Sequence, residues 1–178
     1  MIEALISSKT RVKLLLKFFL NSKTTSYLRG LESEFGESSN AIRLELNRFE
    51  KAGMLQSFSV GNKKMFQANT QHPLFEQIHN IVLKHMGVDK ILDDVVERLG
   101  DVKKVFLVGD LAKGKDTGVI DLLFVGHLDK GYLAKLVDKV EKLIKKKVKY
   151  LIYDAQEFEL VAKKDGFVEK SLLIWNKV

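Results

Sequence analysis

The clearest chemical spacing in this sequence lies between Val105 and Gly126, VFLVGDLAKGKDTGVIDLLFVG. A strand-like run ends in Gly109, a loop carries Lys113, Gly114 and Lys115, and a second apolar run holds Asp121. A strand, a glycine loop with two lysines and an acid on a further strand outline a phosphate-handling site. Asp110 and Asp116 oppose it, because they put negative charge where an anion would sit. A second constellation precedes it. Asn40, Arg43, Asn47 and Lys51 recur at helical spacing with Arg48 on their flank, and Lys63 and Lys64 follow the dipeptide Gly61-Asn62. Arginine can fork onto guanine and asparagine onto adenine, whereas lysines beside a turn suit backbone phosphate. His72, His79, His85 and His127 have no metal-ligand spacing, and no serine has a nucleophile context. We therefore assign no catalytic residue, no metal and no cofactor.

These residues need elements to hold them. Apolar spacing predicts a helix over Thr10 to Leu20, a second over Tyr27 to Phe35 ended by Gly36, and a third from Ser38 or Ser39 to Gly53. In the third, Ile42, Leu46 and Phe49 face inward, which turns Asn40, Arg43, Asn47 and Lys51 outward. MLQSFSV and KKMFQAN around Gly61-Asn62 read as a hairpin. Three helices and a hairpin in that order make a winged helix-turn-helix over residues 1–70, followed by a connecting helix at 71–87. Residues 88–178 read as a small α/β domain: a helix over Val88 to Leu99, strands at Val105 to Val108, Val119 to Val125 and Val148 to Tyr153, and helices over Lys130 to Lys146 and Gln156 to Ala162. The fold class expected is α+β. KKK at 145–147 closes a helix whose carboxyl end favours cations, and Trp175 is read as an anchoring hydrophobe.

Composition sets the limits. The chain has 178 residues, no cysteine, 46% hydrophobic and 30% charged residues, values ordinary for a soluble globular protein. Disulfides and thiolate metal sites are excluded. The longest apolar run, LLLKFFL, is broken by Lys17, and the start MIEALISSKT has no secretory pattern, so no membrane partner and a cytoplasmic location are expected. Residues 1–86 carry 12 Lys and Arg against 7 acids, whereas residues 87–178 carry 18 against 16. The basic excess sits mainly in the first half, pointing that half to a polyanion.

Two resemblances follow from these motifs. SSNAIRLELNRFEKAGML resembles the winged-helix regulators related to the ArsR group, over about residues 8–70. That likeness implies a recognition helix reading double-stranded DNA. It does not carry over the cysteine metal-sensing site of some members. VFLVGDLAKGKDTGVIDLLFV resembles the minimal nucleotidyltransferases of the polymerase beta-like superfamily, over about residues 90–162. In those enzymes a Gly-Ser loop binds phosphate, and three strand carboxylates hold two divalent cations. Here Asp110 replaces the serine, Val119 replaces the first acid of the Asp-x-Asp pair, and KVKYLIY has no third acid. Only Asp121 remains. The resemblance implies a degenerate domain in which Gly109, Lys113, Gly114, Lys115 and Asp121 are the candidates for holding a nucleotide.

The expected function is a homodimeric DNA-binding transcriptional regulator, its second domain inactive and used for assembly or for sensing a nucleotide or other anion. Two alternatives stay open: an active nucleotidyltransferase holding a nucleic-acid or protein substrate on its winged helix, and a protein-binding module. An unrelated small α/β domain also accounts for the glycines of the second half.

Overall fold

The computed structural model describes residues 2–163 and 167–177 of a mixed α+β chain. Two compact units divide it, Met1–His85 and Met86–Val178.

In the first unit, α1 (Lys9–Phe19), α2 (Leu28–Phe35) and α3 (Ser39–Lys51) surround a core of Leu14, Phe18, Phe19, Leu31, Ile42 and Leu46, each at most 1% exposed. Each such side chain contributes roughly 1.5–3 kcal/mol by leaving water. Local signals set the helix ends. Ser8 caps α1 by accepting the Arg11 N–H at 3.2 Å, and Ser38 caps α3 by accepting the Ala41 N–H at 3.3 Å. The charge inside LLLKFFL is accommodated by partnership: Lys17, 7% exposed, reaches Glu34 of α2 at 2.8 Å. A three-stranded sheet completes the unit, with β1 (Ser26–Tyr27), β2 (Leu55–Val60) and β3 (Lys63–Ala68) in the order β1-β3-β2. Val60 pairs with Lys63 across the two-residue turn, and Gly61 there has a φ of 57°, the left-handed value a II′-type turn needs at its first central position. β1 differs from the sequence expectation, which started the second helix at Tyr27. Ser26 and Tyr27 instead pair with Phe66 and Met65. The final helix of the unit, α4 (Phe75–Met86), sets Phe75 against Phe19 with ring centroids 5.8 Å apart.

The second unit holds α5 (Val88–Val95), β4 (Gly100–Val108), α6 (Gly109–Ala112), β5 (Val119–Leu128), α7 (Lys130–Ile144), β6 (Lys147–Tyr153), α8 (Ala155–Ala162), α9 (Phe167–Lys170) and β7 (Leu172–Asn176). Its sheet order is β6-β5-β4-β7. β4 runs antiparallel to β5 and β7, whereas β5 and β6 are parallel and joined through α7. Asp129 caps α7 by accepting the Tyr132 N–H at 2.9 Å, and Leu133, Leu136, Val137 and Val140 supply its buried stripe. Val105, Leu107, Leu122 and Phe124 of the central strands are at most 1% exposed. Phe106, Phe158 and Phe167 bring β4, α8 and α9 together, with ring centroids 5.1 to 5.9 Å apart.

The second unit also departs from the sequence expectation, as in α9, which was not expected. β4 begins at Gly100 rather than Val105, because its outer half alternates charged and apolar residues and still pairs with β5 as far as Leu128. The start of the glycine loop is a helical turn, α6. β7 had no counterpart in the reading of the sequence: Trp175 pairs with Val105 from this edge strand.

Candidate functional site

The helix period fixes what α3 can offer. Ile42, Leu46 and Phe49 are buried, leaving Asn40, Arg43, Leu44, Asn47, Arg48 and Lys51 exposed. Between this face and the hairpin lies a concavity of about 530 Å³, lined by Tyr27, Arg29, Arg43, Asn47, Asn62, Lys63 and Lys64 among others. Four of the seven residues proposed from the sequence, Arg43, Asn47, Lys63 and Lys64, thus share one surface. Asn40 and Lys51 are exposed on the same helix outside its lining.

The two hairpin lysines are not equivalent. Alternation places Tyr27, Met65, Lys63, Phe58 and Val60 on one face of the sheet, with Ser57, Lys64 and Phe66 on the other. Lys63 Nζ lies 4.5 Å from the Tyr27 ring centroid, a cation–π contact that leaves its charge available to an anion. Lys64 Nζ instead donates to Glu50 Oε2 of α3 at 2.7 Å, and Ser57 Oγ donates to the other oxygen of the same carboxylate. The Lys64 hydrogen bond, then that of Ser57, hold the Glu50 carboxyl below its ordinary pKa against a smaller opposing effect of burial. Lys64 is therefore a tie between hairpin and helix.

Arg48 also has a partner on its own unit. It donates to Glu45 Oε1 at 3.0 Å, while Arg11 of α1 donates to Glu45 Oε2 at 2.9 Å and Ser8 adds a hydroxyl. Burial pushes the Glu45 carboxyl up, but the Arg11 hydrogen bond and charge, with Ser8 and Arg48, bring it below its ordinary value. This cluster borders a separate, largely apolar groove of about 420 Å³ between α1, α3 and α4. Arg48 belongs there and not to the concavity.

In the second unit, Gly109 and Lys113 line a hollow of about 340 Å³ with Val108, Val161, Phe167, Lys170 and Ser171. Gly114, Lys115 and Asp121 are not among its lining residues. Gly109 has a φ of 71°, and a Cβ there would stand 2.5 Å from Asp121 Oδ2. The Asp121 carboxylate thus packs against the glycine backbone, a contact no other residue at 109 would allow without movement. Across the parallel pair, Val119 faces Lys147 and Asp121 faces Lys149. Where neighbouring carboxylates would gather a cation, this sheet offers lysines. No group of three His, Asp or Glu side chains comes together among the described residues.

Sequence reasoning missed three residues of the first unit. Tyr27 and Arg29 reach the concavity because β1 turns the start of α2 toward the hairpin. Leu44, 51% exposed, sits in the polar stripe formed by Asn40, Asn47 and Lys51. An apolar residue at i+4 within an i, i+4, i+7, i+11 polar row was its signal.

Neither a protein-family model nor a curated protein matches the chain. Among solved structures it is similar to TrmBL2, described as an archaeal chromatin protein showing a novel mode of DNA binding. The likeness covers 89% of this chain and 76% of that one, at 15% identity and a TM-score of 0.26. Similarity at that level assigns neither a fold family nor a ligand; the chain stands as a mixed α+β protein with a basic, aromatic-lined concavity on its first unit.

Proposed function

We propose that the chain is a DNA-binding transcriptional regulator. Residues 1–70 act as a winged helix-turn-helix, with α3 in the major groove and the β2–β3 hairpin as the wing. The observation that carries this reading is the concavity itself, lined by Arg43 and Asn47 of α3, Lys63 of the hairpin and Arg29 of α2. Arg43 and Asn47 are base-reading types four residues apart on one helix face, and Leu44 adds an apolar contact of the kind a thymine methyl accepts. Arg29 and Lys63 supply phosphate contacts. Asn40 and Lys51 extend the same face toward the two ends of α3.

The second unit acts as a nucleotidyltransferase-like domain without transfer activity. Lys147 and Lys149 beside Val119 and Asp121 support this, since a hard divalent cation needs several oxygen ligands and repels lysine. The hollow at Gly109 and Lys113 is the place for a nucleotide or other anionic effector. The regulator is a homodimer, the arrangement that paired half-sites require. Exposed Leu5 and Ile81 at the apolar groove are the surface available to a second copy.

The test is a salt titration of binding on a duplex selected from random sequence and on a scrambled one. Arg43→Ala should weaken the selected duplex by about 1–3 kcal/mol and the scrambled one much less. Equal loss on both duplexes removes α3 as the reading helix.

A further inference from the structure

The strongest unexplained charge in the molecule lies far from the concavity in sequence. Residues 139–149, KVEKLIKKKVK, hold six lysines and one acid, and span the end of α7 and the start of β6. Lys142, Lys145, Lys147 and Lys149 are all exposed. Their neighbours account for little of the charge. Lys146 is committed to Asp116 at 2.8 Å, and Lys147 pairs with Glu141 at 2.9 Å while its side chain stays 77% exposed. Glu141 is the less exposed member and also accepts the Val148 N–H at 2.7 Å, so Lys147 is the partner open to a further anion. Lys147 and Lys149 alternate onto one face of an edge strand, about 6.6 Å apart along it.

Two ordinary explanations exist for lysines here: cations suit a helix carboxyl end, and they protect a sheet edge from pairing with another chain. The first covers the charge of Lys145 at the end of α7, but neither explains its backbone conformation. Lys145 caps α7 with a φ of 55°, the only left-handed residue other than glycine among those described. Glycine adopts that conformation without strain and ends helices in this way. A cation for the carboxyl end is already supplied by Lys142 in the last turn, so the terminus does not need a side chain that holds the backbone left-handed. Strain retained where a commoner residue would relieve it points to a use for the side chain.

We infer that the α7–β6 end of the second unit, through Lys142, Lys145, Lys147 and Lys149, is a second, sequence-independent contact for the phosphodiester backbone of DNA. The choice of DNA over another polyanion rests on the regulator reading, because the first unit brings a duplex to high local concentration near any surface tethered to it. The contact needs no divalent cation, since the lysines themselves neutralise the phosphates.

The experiment uses the full chain and a duplex of about 40 base pairs, long enough for both units to reach, on the order of 3.4 Å per pair. Lysine acylation with and without the duplex, read by mass spectrometry, is combined with salt titration and thermal melting of Lys145→Gly and of Lys145→Gly with Lys149→Ala. Expected are protection of Lys145 and Lys149, and a salt slope lower by about two in the double variant. The melting temperature of Lys145→Gly should rise by about 4 °C as the strain is relieved. A higher melting temperature with an unchanged slope and no protection makes Lys145 a structural accident and overturns the inference. Protection at Lys63 alone does the same, as does binding to anionic lipid vesicles without protection by DNA. Protection at Lys145 and Lys149 with Lys63 fully reactive sustains the inference while refuting the regulator reading, and absence of DNA binding in EDTA refutes both.

Discussion

At the scale of single residues, Lys63 and Lys64 show how one position changes a role. Adjacent strand residues point to opposite faces, so both lysines line the concavity but Lys63 lies over Tyr27 while Lys64 is tied to Glu50. If Lys63 touches phosphate and Lys64 does not, Lys63→Ala lowers the salt slope of DNA binding by about one, and Lys64→Ala changes it far less. Glu50→Gln tests the same division from the other side. By weakening the hold on Lys64 it should tighten binding to every duplex and steepen the slope. A titration in which the two lysine variants behave alike would show that the tie does not hold in solution. Gly109 gives a second prediction at this scale. Gly109→Ala should cost about 2 kcal/mol in urea unfolding, from a left-handed backbone and the approach to Asp121. Adding Asp121→Ala should recover only the steric part.

At the scale of elements, the patterns legible in the sequence were those with long periods. α1, α3 and α7 each carry an apolar stripe over at least 11 residues, and the Gly61-Asn62 turn marks its hairpin locally. β1 was not legible because two residues have no period, and its pairing with β3 bridges about 40 positions of sequence. β7 was missed because LLIWN shows no alternation, its register with β4 being broken by a bulge. Ion pairs were equally silent. Arg11 and Glu45 lie 34 positions apart, although they fix α3 against α1. That anchor carries a pH dependence. Glu45 and Glu50 titrate below their ordinary value in the folded chain, so their stabilisation is complete above about pH 4.3 and is lost as pH falls through the lower folded values. Unfolding followed from pH 6 to pH 3 should show this loss. Glu45→Gln should cost about 1–2 kcal/mol at pH 7, between the values for exposed and buried pairs, and should flatten the acid limb.

At the scale of the whole molecule, each unit has its own core, one built on Phe18, Phe19 and Ile42 and the other on Val105, Leu107 and Phe124. Ile42→Ala and Val105→Ala should therefore lower different transitions in a calorimetric scan, each by about 2–4 kcal/mol of unfolding free energy. A single transition that both variants shift equally would refute separate cores. Assembly is tested by light scattering. A dimer mass at micromolar concentration is expected, and Ile81→Glu at the apolar groove should reduce it to the monomer. No helix among the described residues is long and apolar enough to cross a membrane.

The pairing of β1 with β3 and the grip of Glu50 on Lys64 and Ser57 secure the hairpin at both of its flanks before any ligand arrives. The ordering cost of the surface is met during folding. Under the proposed reading, a duplex then meets a caliper of set opening, and groove width as well as hydrogen bonding decides the fit. Association with such a surface should proceed in one kinetic phase set by encounter, without the slower second phase of a loop that must first find its shape.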